Sequence, residues 1–287
     1  MGGASSTGRR QEAGQLSDIL AGQPTDASLL AEIYDLEHDL IDEDLVFYRE
    51  MARQHPGAAI DLGCGSGRLF RPLLDGGATR IVGIDGSPAL LERAEVRIAA
   101  DAELSAAKRA GRVEFAVGDV RRVDRGERFA LAILAGVVAH LDGPEEAIRA
   151  LVSARRLLAA DGVVVLDTLG PGALPPHDLP LSVDWERRHD GRRVVRRSRL
   201  VRREAPEGLR VAYDTLTDVV RADGTISRLP ASFRLWYPSP AVLVALAAEA
   251  ELAVESVFGS HDLGSIDEGS ERCIIVARLT TADPGKG

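Results

Sequence analysis

One stretch constrains this chain more than any other: Ile60-Asp61-Leu62-Gly63-Cys64-Gly65-Ser66-Gly67-Arg68. It follows a short apolar run, Ala58–Leu62, and precedes a helical pattern through Leu69, Leu73 and Leu74. Glycines at alternate positions let the backbone turn tightly and approach a ligand closely. A strand that ends in such a loop and opens into a helix is the first unit of an open parallel sheet with helices on both faces.

The following residues repeat that unit. Arg80–Ile84 reads as a second strand ending in Asp85. Ser87-Pro88 reads as a helix start, serine as N-cap and proline in the first helical position. That helix is expected to run through Leu90, Leu91, Ala94 and Ile98 to about Ala107. Val113–Val117 and Phe129–Ala135 read as strands, Pro144 to Leu158 as a helix and Val163–Thr168 as a fifth strand. From Gly170 the rhythm breaks. Val183 to Trp236 carries β-rich runs parted by Asp190-Gly191, Glu207-Gly208 and Asp223-Gly224, which predicts an antiparallel meander of about four strands. Ser239-Pro240 then starts a helix. Leu252–Phe258 and Arg272–Leu279, with no crossover helix between them, predict an antiparallel hairpin.

The expected fold is therefore α/β: a Rossmann-like parallel sheet ending in an antiparallel hairpin, with N-terminal helices and an inserted β-meander lid. Its expected division is a disordered tail over 1–23, a helical cap over 24–57 and a core over 58–169. The insertion covers 170–238, the end of the core 239–279 and a second tail 280–287. The cap rests on amphipathic patterning from Ser28 to Arg53, which predicts two helices.

Composition narrows the setting. The formal net charge of −9 argues against general nucleic-acid binding. No apolar run reaches the ~20 residues that cross a bilayer, and the start carries no charged-then-apolar leader. Two cysteines, Cys64 and Cys273, offer no disulfide framework. These features point to a cytoplasmic protein. Lys108 and Lys286 are the only lysines among 35 basic residues, a bias of GC-rich bacterial genomes. In that setting the myristoylation-like start Met1-Gly2-Gly3-Ala4-Ser5-Ser6 reads as a mobile tail.

Three strand tips carry acids: Asp61, Asp85 and Asp119 in Gly118-Asp119-Val120. All fall on the carboxyl edge, where α/β sheets bind ligands. A carboxylate at Asp85 can accept two ribose hydroxyls. A dinucleotide fingerprint would place its third glycine at position 68, which is Arg68; here it falls at Gly67. That spacing disfavours a nicotinamide-dependent oxidoreductase.

Together with Leu157-Leu158 and Asp161-Gly162-Val163-Val164-Val165-Leu166, these motifs resemble the class I S-adenosylmethionine-dependent methyltransferases from about Tyr34 to Leu279. The resemblance implies S-adenosyl-L-methionine as cofactor and S-adenosyl-L-homocysteine as product. It implies Gly63, Gly65 and Gly67 along the methionine part, with Asp61 near its amino group. It further implies Asp85 on the ribose, Asp119 on the adenine amine and Val120 against the ring. Cys64, Arg68, Gly86, Gly118 and Ala135 complete the expected cofactor set. Tyr34-Asp35 and Leu235-Trp236-Tyr237-Pro238-Ser239-Pro240 resemble the small-molecule branch of natural-product and amino-sugar N-methyltransferases. In that branch such a tyrosine covers the cofactor; an ordinary core tyrosine is the alternative.

The expected reaction is methyl transfer to an amine, or a hydroxyl, of a small molecule in bacterial natural-product biosynthesis. Tyr34 and His140 are the candidate catalytic residues. His140, after the fourth strand, can serve as a general base or simply cap a helix and line the site. A non-catalytic S-adenosylmethionine-binding protein is the other reading. No metal, nucleic-acid or membrane partner is expected. The arginine-dense run from Arg187 to Arg203 is open to three readings: a funnel for an acidic substrate, a solvated sheet face, or a homo-oligomer contact through the meander. His177, His189 and His261 read as surface residues.

Overall fold

A computed structural model describes residues 26–280. The two expected tails, and the myristoylation-like start, lie outside the described residues except for Thr280. The chain divides into two compact units. Among the described residues, one comprises Ala31–Leu174, Pro206–Gly208 and 236–280; the other holds Pro175–Ala205, Leu209–Leu235 and 26–30.

The cap is two helices as expected, α1 (Ala27–His38) and α2 (Glu43–Gln54). β1 (Ala58–Leu62), β2 (Arg80–Asp85), β3 (Val113–Val117) and β4 (Phe129–Ala135) fall where apolar runs placed them. Between β1 and β2 lies a short helix, α3 (Phe70–Asp75). The single helix expected after Ser87-Pro88 is two, α4 (Pro88–Ala100) and α5 (Ala102–Arg109). Asp101 leaves helical geometry at φ −109°, ψ 118°, and its carboxylate caps α5 by accepting the N–H groups of Glu103 and Leu104. The apolar stripe runs through this break, so only the cap marks it. α6 (Pro144–Leu157) passes directly into β5 (Leu158–Leu169), which starts earlier than Val163. Ala147, Ala150, Leu151, Ala154 and Leu157 line the buried side of α6, the three-and-four spacing that sets a helical stripe on a sheet.

α7 (Pro240–Glu249) starts on the expected Ser239 cap, and β10 (Leu252–Phe258) and β11 (Arg272–Leu279) form the expected hairpin. The seven strands run in the order β10-β11-β5-β4-β1-β2-β3. β1 to β5 are parallel and β11 is antiparallel to β5. β1 lies between β2 and β4, so the strand order reverses there. Outside that switch point, at the carboxyl edge, the connections diverge and leave a crevice. One apolar layer gathers around Phe70, Tyr48 and Val165 and the other around Leu151, Leu166 and Leu243, on the two faces of the sheet.

In the second unit β6 (Leu179–His189), β7 (Arg192–Ala205), β8 (Gly208–Val220) and β9 (Ile226–Tyr237) form a four-stranded sheet in sequence order. Asp190 and Gly191 both have positive φ, 48° and 72°, as a two-residue hairpin turn requires. The arginine run is internally paired. Arg197 and Arg228 bind Asp218, and Arg199 binds Asp214. Arg196 and Arg199 are buried, which corrects the solvated-face reading for these two.

Candidate functional site

The glycine loop is built against its neighbours. The N–H groups of Gly63 and Cys64 donate to Ile84 O, fastening the loop to β2. Gly63, Gly65 and Gly67 have φ of +86°, +54° and +72°, a region that L side chains seldom enter. A Cβ on Gly63 would strike Val137, and one on Gly67 would stand 2.8 Å from the Phe70 ring. The third glycine thus admits the protein's own aromatic ring. Phe70 is fully buried at the start of α3, where a dinucleotide fold would seat a pyrophosphate.

The acids differ in what they offer. Asp85 Oδ2 accepts the Gly65 N–H at 2.7 Å and Oδ1 accepts the Ser87 N–H at 2.8 Å. Each oxygen keeps one further lone pair, enough for two vicinal hydroxyls. Asp61 is 1 % exposed, and its Oδ2 has no hydrogen-bond partner. Burial, reinforced by the Asp85 charge and opposed by Arg68, pushes its pKa up to about 7. A buried acceptor of this kind fits a ligand ammonium, which would supply both a donor and a countercharge. Asp119 caps the turn Val120–Arg122 and is gripped by Arg121 through Nε and Nη2, both at 2.8 Å. Three donors from Arg121 occupy it, leaving one Oδ2 lone pair for a ligand. Gly86 and Gly118 bring these two tips together: a Cβ on Gly86 would lie 3.9 Å from Gly118 O.

Tyr34 closes over the loop, its hydroxyl 3.2 Å from where a Gly65 Cβ would stand. Burial, with Arg68 opposing it and the nearby acids adding to it, pushes its pKa up to about 12. The phenol is neutral at working pH. α1 is held there by Asp35, buried and bound by Arg93 at 2.6 Å and Arg97 at 3.3 Å. Arg97 Nε also donates to Ser66 O within the glycine loop. This clamp carries no sequence motif and was not anticipated.

Two expected contacts fall elsewhere. Arg68 turns away from the loop, donating both Nη atoms to Asp44 and one to Ile41 O; it fastens α2. Cys64 packs its sulfur inward, 2.8 Å from where a Gly83 Cβ would stand, and only its backbone belongs to the loop. Ala135 and Gly136 end β4, and the Gly136 N–H donates to Asp167 O. His140 ends the turn Val138–His140. Its ring is exposed on one side, yet the atoms crowded around the rest lower its pKa, with Asp85 opposing. His261 is a correction: it is mostly covered and lies 2.8 Å from buried Asp167. His189 is half-buried and His177 exposed.

Residues 59–162 match the family profile of a methyltransferase domain. A search of curated proteins finds no match. Among solved structures, the chain is similar to the CcbJ methyltransferase from Streptomyces caelestis, at 23 % identity over 91 % of this chain and 92 % of that one, TM-score 0.64. An S-adenosylmethionine-dependent methyltransferase from Clostridium acetobutylicum superposes with TM-score 0.70 at 14 % identity, covering 88 % and 98 %. The sugar N-methyltransferase KedS8 from Streptoalloteichus gives 0.65 at 21 % identity, covering 85 % and 92 %. The fold is that of the class I S-adenosylmethionine-dependent methyltransferases, and the matched segment contains the glycine loop and all three acids.

Proposed function

We propose that the chain is an S-adenosylmethionine-dependent methyltransferase acting on an amine of a small, natural-product-type molecule such as an amino sugar. The observation that carries this reading is the pair of acids under Tyr34. Asp61 presents a buried unpartnered oxygen and Asp85 one open lone pair on each of its two oxygens. An amino-acid ammonium and a ribose diol, linked at one end of a ligand, fit that pair. The similarity to a sugar N-methyltransferase supports the amine over the hydroxyl.

Asp61 would hold the ammonium, Asp85 the ribose, and Gly65 and Gly67 the backbone beside the methionyl chain. Asp119 and Val120 would take the adenine. When bound, S-adenosylmethionine supplies a methyl group already activated on a sulfonium. The protein's own task is positioning, which in favourable cases lowers a barrier by ~7–11 kcal/mol. Tyr34 covers the loop and excludes water, and Tyr34 and His140 flank the acceptor. The crowded surroundings of His140 disfavour its protonated form, with the Asp85 charge opposing.

The test is transfer of labelled methyl from S-adenosylmethionine to a panel of nucleotide-linked amino hexoses, an amino pentose and their hydroxyl counterparts. Label in an amine product is expected. Label confined to hydroxyl products would overturn the choice of nitrogen.

A further inference from the structure

A second group of polar side chains sits at the same sheet edge, at the β5 side of the crevice. Asp167 lies two residues before the end of β5 and is 1 % exposed. A helix, a strand and a loop converge on it. Tyr48 of α2 donates its hydroxyl to Oδ2 at 2.7 Å, and His261 Nε2 lies 2.8 Å from the same oxygen. Arg272 of β11 donates Nε to Oδ1 at 2.9 Å and adds Nη2. Burial alone would raise this carboxyl's pKa. The bond to His261, the Arg272 charge and the Tyr48 bond outweigh it and hold the group below its ordinary value. Asp167 is thus an anion at neutral pH, and an anion against Nε2 makes that nitrogen the protonated one. The lone pair of His261 is left on Nδ1.

His261 is delivered by a closed turn between β10 and β11. Gly259 N–H bonds Gly264 O at 2.7 Å, and Gly264 N–H bonds Ser260 Oγ at 3.2 Å. Leu263 takes φ +68°, a left-handed conformation costly for leucine and often found at functional sites. Phe47 and Tyr48 pack beside the imidazole, ring centroids 5.6 and 6.2 Å away, while 13 % of the side chain stays open. The group is continuous with the glycine loop. Arg68 lies within electrostatic reach of both Tyr34 and Tyr48, and Asp167 O accepts the N–H of Gly136, which leads to His140.

We propose that His261, oriented by Asp167, is the proton acceptor for the amine that receives the methyl group, a role that rests on the methyltransferase reading above. An aliphatic amine is protonated at pH 7 and has no lone pair to offer. Its ammonium proton passes to Nδ1, the amine regains its lone pair, and the imidazolium later releases the proton to solvent. Asp167 stays anionic throughout and stabilises the imidazolium, as an aspartate does behind a catalytic histidine. The charged and titratable groups around the ring are Tyr48 from α2, Asp167 from β5, Arg272 from β11 and Asp262 from its own turn.

Two measurements test this. Nitrogen NMR of imidazole-labelled, ligand-free protein should show the neutral His261 ring with its single proton on Nε2, facing Asp167, and its lone pair on Nδ1. A neutral ring that carries its proton on Nδ1 instead overturns the proposal. Methyl transfer to whichever amine of the panel is turned over is then followed in wild type, His140→Ala and His261→Gln. Glutamine keeps an N–H for Asp167. His261→Gln should lower kcat at least about tenfold at pH 7 and recover to within about threefold by pH 9. The KM for S-adenosylmethionine should hold. An unchanged kcat at pH 7, or an equal loss at every pH, overturns the assignment. Wild-type protein that binds no S-adenosylmethionine removes the methyltransferase reading instead.

Discussion

Asp61 combines burial, a raised pKa and an unpartnered oxygen. Its pKa rises from 3.8 unfolded to about 7 folded, so the folded state binds its proton more tightly. That opposes folding of the ligand-free protein increasingly as pH rises from about 4 to about 7. Binding an ammonium needs the anion, so affinity should fall by up to about tenfold per unit below pH 7. Asp61→Asn should therefore raise the melting temperature at pH 8 and weaken S-adenosylmethionine binding at least tenfold, by roughly the ~1.5–3 kcal/mol of a charge-assisted hydrogen bond. Melting curves and titration calorimetry on one sample check both; a lower melting temperature with unchanged affinity contradicts them. Gly65→Val meets a φ of +54° and the Tyr34 hydroxyl together. Cofactor binding should be lost while circular dichroism still reports an intact sheet. The three glycines and three acids were legible because one local motif and successive strand tips place them. His261 was not, because its partner Asp167 lies 94 residues away and no local pattern joins them.

At the scale of elements, the hold on α1 decides how well Tyr34 covers the loop. Asp35 is the common partner of Arg93 and Arg97 from α4, and Arg97 also reaches Ser66. Asp35→Ala leaves two guanidinium groups without this carboxylate. Amide exchange in α1 should quicken, and the S-adenosylmethionine dissociation constant should rise about three- to thirtyfold, with β1–β5 protection unchanged. Hydrogen exchange followed by mass spectrometry reads both regions; exchange that quickens across the sheet as well would mean a global role for Asp35. The strands were legible to the residue in β1, β3 and β4 because short apolar runs bounded by turn residues mark the strands of a parallel sheet, buried in β1 and β4 and at the edge in β3. The break at Asp101 was not. Apolar spacing continues across it, and only the side-chain cap on Glu103 and Leu104 shows that a new helix begins.

For the whole molecule, the βα rhythm was enough to order the parallel sheet, since crossover connections admit few topologies. The interior of the meander was hidden. Arginines every residue or two read as surface, yet Asp214 and Asp218 draw Arg199, Arg197 and Arg228 into cross-strand pairs. Asp214 is fully buried. Asp214→Ala would remove the buried countercharge of Arg199, and breaking a buried pair from one side costs ~3–5 kcal/mol. Denaturant unfolding should show that loss in the transition that unfolds the four-stranded sheet; a change under about 0.5 kcal/mol would mean the pair is solvated.

No helix among the described residues is long and apolar enough to cross a membrane. The central claim is that the carboxyl-edge crevice takes S-adenosylmethionine rather than a dinucleotide. Isothermal titration of the purified chain with S-adenosylmethionine, S-adenosylhomocysteine, NADH and NADPH tests it most directly. One molecule each of the first two per chain should bind, with neither nicotinamide giving heat above dilution. Saturable binding of NADH or NADPH, with none of S-adenosylmethionine, would contradict the account.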